Sequence, residues 1–403
     1  VDGFRTPPAG DFASYEALLG HQGEHFGALA SWSTGQCANS SGLDGLLLPL
    51  QALVPEVSQF FDGKLAQCGR GMHLVGDKIN QTSAEYTSTD HGVAGDMRSL
   101  YPSAFSGFPS IASIPGASSL GNFQDAGVDL KEPADANETT SKAIHLQVMA
   151  LRGHSDLKMA NTLFQWCTGQ NLFELLLHPL FGEFGRLSYL SHAYDQLGDA
   201  VYTVAGTLRK GTWKLGSEWV GQTGTNFDQY LFQWSMGIGG VGDAAKVTAK
   251  AFKVAYEAMI PLVHQALKEI ADLVETEIAA LARQFVEMAA GTAAIEAAGL
   301  GPEDPLADVA ALIWDVTRLM KIYKIVKRII TAIVVIQAIY EQIRKLVDAI
   351  GPAIDYVVKQ VNSPMPTMGS LVNDVEQRGF EFEKDGFWSS TAGSARIAML
   401  PAA

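Results

Sequence analysis

Charge and cysteine are what this chain has least of: 18% of its 403 residues are charged and three are cysteine. Three thiols cannot build a disulfide framework, and none stands in a Cys-x-x-Cys pair, so a structural zinc site has no support. One bridge is the most the chain allows. Cys37 with Cys68 is the candidate pair in an oxidising space; the alternative is that Cys68 is a small hydrophobe on a helical seam. Basic residues are the scarcer sign, 29 Lys and Arg against 43 Asp and Glu, for a net charge of −14. That balance argues against nucleic acid as a partner, because phosphate binding needs concentrated positive charge. Long apolar runs are missing too: residues 329–340 are interrupted by Thr331 and Gln337 and fall short of the roughly 20 residues a spanning helix needs. The opening VDGFRTPPAG has no basic region ahead of an apolar stretch, so no Sec-type signal is expected there. Strand patterning is almost absent, with alternation only in GFEFEKDGFW, where a small hairpin is expected within residues 362–403.

Helical periodicity fills most of the rest. Val54, Val57, Phe61, Leu65, Cys68, Met72, Val75 and Ile79 alternate at threes and fours, which predicts one long helix with a single seam. Upstream, Tyr15, Leu18, Phe26 and Leu29 mark a shorter stripe weakened by Gln22, and STGQCANSSG between the two reads as a turn. Residues 1–96 are therefore expected to hold a helical hairpin. Residues 97–160 carry Pro102, Pro109, Pro115 and Pro133 among Ser, Gly and Ala, and are expected to form a linker or wrapping loop. A second seam runs through Leu187, Leu190, Tyr194, Leu197, Val201, Val204 and Leu208, and a further helical pattern restarts near Gln222. Residues 161–298 thus read as a second hairpin, its distal arm broken at GIGGVG, Gly237 to Gly242. Residues 299–361 read as one or two more helices with a break at Gly351-Pro352. The expected class is all-α: elongated helical hairpins with additional C-terminal helices.

Little of the sequence looks like reaction chemistry. Gly237, Gly239 and Gly242 satisfy G-x-G-x-x-G, but DQYLFQWSM before them is not a β-branched strand, so a nucleotide loop is disfavoured against a bend. His21 and His25 stand at helical i, i+4 spacing without a third ligand suggested by spacing, which favours a helix face over a metal site. No G-x-S-x-G elbow or catalytic Cys-His signature is present. The expectation is a non-enzymatic protein with no cofactor and no metal.

Two short motifs matter for where they sit. Tyr86 and Asp90, in AEYTSTD, close the long helix of the first hairpin; Trp219, Val220 and Gly221 occupy the bend between the arms of the second. With 11 Tyr, 7 Trp and 40 Gly, either motif alone is expected by chance, so position carries the weight. Through these residues and PEVSQFFDGKLAQCGRGMHLVGDKINQTSAEYTSTD, the chain resembles the WXG family of actinobacterial type VII (ESX-type) secretion substrates, an EspC-like hairpin followed by a WXG-like one. The resemblance implies that the hairpins pair into a four-helix bundle, with Trp219-Val220-Gly221 as the WxG turn and Tyr86 and Asp90 as a YxxxD export signal. It further implies a type VII secretion ATPase as partner, with a dedicated chaperone or WXG-family partner as another, and a secreted or cell-envelope destination reached without a Sec signal.

The remaining lead is a basic stripe: Arg318, Lys321, Lys324, Lys327 and Arg328 lie beside Leu319, Ile322, Ile325 and Val326. A cationic face on an apolar helix suits an interfacial membrane helix, and equally a core helix with one solvated edge. Two further functional readings follow, a membrane-active or channel-forming effector using that helix, and a cytoplasmic helical scaffold.

Overall fold

A computed structural model describes residues 5–86, 110–133, 138–287 and 305–359. The chain is all-α. Helix α1 is Ala9–Trp32, continued by a π-helical turn Ser33–Cys37, and α2 is Leu50–Glu85. After an extended segment that includes the short α3, Ala117–Leu120, come α4, Glu138–Gly153; α5, Ser155–Thr168; and α6, Leu172–Leu176. Helices α7, Gly185–Gly216, and α8, Gln222–Leu273, form the second hairpin. α8 runs on through a π-helical turn, Val274–Ile278, to residue 287, and α9 spans Pro305–Lys359. Among the described residues the only β contact is an isolated antiparallel bridge, Arg5 to Val220.

The hairpins pack as a four-helix bundle: α1 on α2, α7 on α8, α1 on α7 and α2 on α8, with α9 lying along α8. Both seams face inward. Every apolar residue of the α2 seam from Val54 to Ile79 is buried, and so is every residue of the α7 seam from Leu187 to Leu208. Aromatic rings link the hairpins, Phe61 to Tyr194 at 5.3 Å and Tyr194 stacked on Phe252 at 6.0 Å between centroids. The Trp32 Nε1–H, which would otherwise be a buried donor without a partner, donates to the Ala193 carbonyl at 3.0 Å.

Four expectations are corrected. The glycine run 237–242 does not break the second hairpin; it is helical and buried throughout α8. The reason is packing. A Cβ on Gly242 would lie 2.6 Å from the Tyr202 ring, and one on Gly198 would lie 3.1 Å from the Gly242 carbonyl, so glycine here lets α7 and α8 approach closely. Close contact with α7 offsets the helix propensity that glycine sacrifices. Gly351-Pro352 does not break α9 either: Ile350 and Ile354 are both buried and hold the helix on both sides of the proline.

The linker is shorter than expected, because α4 and the first part of α5 lie inside residues 97–160. Ile144 and Val148, then Leu157, Ala160 and Phe164, are spaced at threes and fours and buried. The second hairpin accordingly begins at Gly185, not at residue 161. Finally, Cys37 and Cys68 are both free and buried. Ser33 meets Ser58 across the first hairpin at 3.1 Å, and Cys68 lies ten residues, or about 15 Å, further along α2, on the side away from the turn that carries Cys37. Disulfide Cα atoms stand about 4.4–6.8 Å apart, so the pair cannot be bridged in this fold. The hairpin expected within 362–403 lies outside the described residues, as do 87–96 at the end of the first hairpin unit.

Candidate functional site at one end of the bundle

The turn joining α7 to α8 closes the bundle at the end where α1 begins and α2 finishes. Gly221 adopts φ +140°, a conformation that favours glycine, and starts α8. One turn later Gly224 passes under the tryptophan: a Cβ there would lie 2.4 Å from the Trp219 carbonyl oxygen. The two glycines let the chain fold tightly beneath the indole. Val220 is held from outside by a two-way backbone bridge, its N–H donating to the Arg5 carbonyl at 2.8 Å and its carbonyl accepting from the Arg5 N–H at 3.3 Å. The Arg5 guanidinium then donates to the Ser217 and Glu218 carbonyls at 3.0 and 3.3 Å, which satisfies acceptors that the end of α7 leaves open.

Trp219 is fully buried in a nest of rings from three other helices. Phe12 of α1 stands edge-on at 5.1 Å, Phe227 of α8 lies at 5.0 Å, and Tyr86, at the C-terminal cap of α2, lies at 5.8 Å. The indole Nε1–H donates to the Tyr86 hydroxyl. Residues 133 positions apart in sequence, each singled out from its own hairpin, are therefore direct partners. Tyr86 is half-buried, and its ring packs back against Phe12 at 6.1 Å. Asp90, its companion in the YxxxD motif, lies outside the described residues.

Beneath this nest sits a buried carboxylate. Asp228, next to Phe227 on α8, is 1% exposed. Its Oδ2 accepts from the Ile111 N–H at 2.8 Å and from the Ser110 hydroxyl at 3.4 Å, while Oδ1 faces Gly216 without a hydrogen-bond partner. Burial pushes its pKa up to about 8, and the two hydrogen bonds, which favour the charged form, do not offset it. Tyr15, bonded to Thr212 at 2.9 Å, is also pushed up by burial and feels Asp228. The chain thus leaves the described bundle at Tyr86 and is picked up again at Ser110, both at the Trp219 end.

The other sequence candidates fall elsewhere. His21 and His25 both face Asp125 in the extended segment, at 3.9 and 3.1 Å, and buried Gln22 donates to the same carboxylate at 2.6 Å. The residue that weakens the α1 stripe is thus part of a clasp holding that segment to the helix. Among the described residues no group of His, Cys, Asp and Glu is arranged to hold a metal ion. The basic stripe lies on α9, with Lys321, Lys324, Lys327 and Arg328 exposed and Arg318 partly covered. No helix among the described residues is long and apolar enough to cross a membrane.

Sequence reasoning missed Arg5, Phe12, Gly224 and Asp228. Phe12 was within reach, three residues before Tyr15 on the same stripe. Asp228 and Arg5 give no pattern, because one sits beside an apolar seam and the other before the first helix. No protein-family model matches the chain, and no curated protein or solved structure is found similar to it.

Proposed function

We propose that this protein is a non-enzymatic substrate of a type VII (ESX-type) secretion system, acting after export as a secreted or cell-surface interaction factor. The observation that supports the reading is the pairing of Trp219 with Tyr86. A WxG turn and the tyrosine of a YxxxD motif, from different hairpins of one chain, form a single aromatic cluster at one end of a four-helix bundle, with Trp219 buried and the half-buried Tyr86 at its edge. Such a cluster fixes where Tyr86 is presented to the secretion ATPase, because the indole that holds its hydroxyl is in place only when the two hairpins are correctly paired. With both hairpins on one chain, pairing does not require capture of a separate subunit; the linkage keeps the two halves at high effective concentration.

The test is detection of the full chain in culture filtrate from cells with and without a functional secretion ATPase. The expected result is export that depends on the ATPase and is abolished by Tyr86→Ala and by Asp90→Ala, with each variant accumulating folded in the cytoplasm. Undiminished export of both variants would overturn the signal assignment. Protein found only inside cells with an active ATPase would instead favour the cytoplasmic helical scaffold.

A further inference from the structure

Helix α9 is buried along one face only. Ile322, Ile325, Ile329, Ile333 and Ile336, spaced at threes and fours, are buried, and α9 packs along α8. A second, outward stripe is also apolar. Met320, Tyr323 and Val334 are 58%, 68% and 63% exposed, and Leu319 and Ile330 flank them, also exposed. On a helical projection these five fall on one stripe that includes Lys327, with Lys324 on its border and Lys321 further round the helix. Residues 316–340 contain five cations and no Asp or Glu, in a chain whose net charge is −14. Two of the five are engaged by the extension of α8, Arg328 with Glu277 at 2.8 Å and Arg318 with Glu287 at 3.8 Å. Lys321, Lys324 and Lys327 make no ion pair among the described residues and remain exposed.

We propose that this outward face of α9 is a docking surface for an anionic lipid bilayer, on which the helix lies flat with α8 behind it. The apolar stripe would enter the headgroup boundary while the lysine stems run along it and place their ammonium groups among lipid phosphates. The charge pattern selects this occupant over a second copy of the chain. Symmetric pairing of the same face would bring the lysines of both copies together with no acidic residue between them. Spanning is not implied, since no described helix is apolar enough, and the isoleucine face of α9 is already occupied. The inference does not rest on the secretion reading: export and vesicle binding are read in separate assays.

The experiment is co-sedimentation of the full chain with vesicles of phosphatidylcholine alone and of phosphatidylcholine and phosphatidylglycerol in equal parts. Binding is expected to the mixed vesicles only and should weaken with added salt. Three lysines near a charged surface account for a factor on the order of a hundred in partitioning. The combined Lys321→Glu, Lys324→Glu and Lys327→Glu variant, which adds repulsion to the lost attraction, should therefore lose at least that factor. The pair Met320→Ser and Val334→Ser, with the lysines intact, should also weaken binding. These positions are exposed, so unchanged thermal melts should show both variants folded. The proposal is overturned if the protein ignores mixed vesicles, if charge reversal leaves binding unchanged, or if light scattering shows a dimer that Val334→Ser dissociates.

Discussion

Asp228 makes stability depend on pH in a direction opposite to that of an ordinary carboxylate. Its folded pKa is raised by burial to about 8, against about 3.9 in an unfolded chain, so near neutral pH the folded protein holds a proton that the unfolded chain has released. Because the folded state binds more protons, this group's contribution is fully present below about pH 4 and is lost as pH rises towards 8. The slope in that window approaches about 1.4 kcal/mol per pH unit, so between pH 5 and 7 the group withdraws up to about 3 kcal/mol. The surface carboxylates of an acidic protein add their own pH dependence, which the Asp228→Asn variant shares. Subtracting its denaturation free energy from that of the native sequence isolates the buried proton. Asparagine keeps an acceptor for the Ile111 N–H and does not titrate. The difference should shrink steadily from pH 5 to pH 7, by urea titration, and the gap in melting temperature should move by about 4 °C over the same range. Parallel curves for the two proteins across that window would refute the assignment of a raised pKa. A native-minus-variant free energy that rises with pH would refute its sign.

Tyr86→Phe removes the acceptor of the Trp219 indole N–H and leaves a buried donor without a partner, so it should destabilise the fold by about 1–3 kcal/mol in chemical denaturation; an unchanged midpoint would mean that the bond does not form in solution. Gly71→Ala should destabilise strongly, by more than about 3 kcal/mol, because its Cβ would fall 1.8 Å from the Trp234 ring at the α2–α8 contact. Gly63→Ala on the same helix has nothing within 4 Å and should stabilise by about 0.5–1 kcal/mol, so melts of the two variants should move in opposite directions. Thiol titration without reductant should find Cys167 reactive in the native protein and all three cysteines reactive in denaturant, because Cys37 and Cys68 are buried and burial pushes the Cys68 thiol up to about 12; one thiol in denaturant would mean the bridge exists.

The seams were legible because they are long and regular. Val54 to Ile79 and Leu187 to Leu208 each hold their spacing over several turns, and a stripe of that length has no soluble alternative to burial. From there each hairpin followed, while their pairing into one bundle was implied only by the family resemblance. The glycines were not legible. Read locally, GIGGVG is a helix breaker, and only the α7–α8 contact, with the Tyr202 ring beside Gly242, shows that the missing side chains are what the packing needs. The same limitation applies to Gly71 under Trp234 and to Pro352, each set by a neighbour remote in sequence. For the site, the motif residues were found one by one, yet their hydrogen bond was not readable, since it depends on the register of two hairpins. Asp228 was invisible because an acid beside an apolar seam normally marks the solvated edge of a helix.

That register is fixed far from the site. Along the α7–α8 contact, Lys246 bridges Asp195 and Asp199 at 2.7 Å each, the Tyr202 hydroxyl donates to buried Asp243, and the Arg209 guanidinium donates to Ser235 at 3.1 Å. Apolar seams alone tolerate a slip of one turn, because threes and fours repeat; these polar pairs do not. A one-turn displacement, about 5.4 Å, would leave Lys246 beside only one of its two aspartates, break the Tyr202–Asp243 and Arg209–Ser235 bonds and drive the Tyr202 ring off Gly242. Asp195 lies 24 residues before Trp219, about 36 Å along helical geometry, so the ring nest at the turn inherits its alignment from contacts at the other end of α7. Along α2 the alignment is set where Gly71 admits Trp234, where Ser33 and Ser58 exchange hydrogen bonds, and where Asn80 donates to Glu16 of α1 at 3.0 Å. Trp219 and Tyr86 meet because both hairpins are held in register along their length, so a change near Asp243 should disturb their end of the bundle without touching either residue.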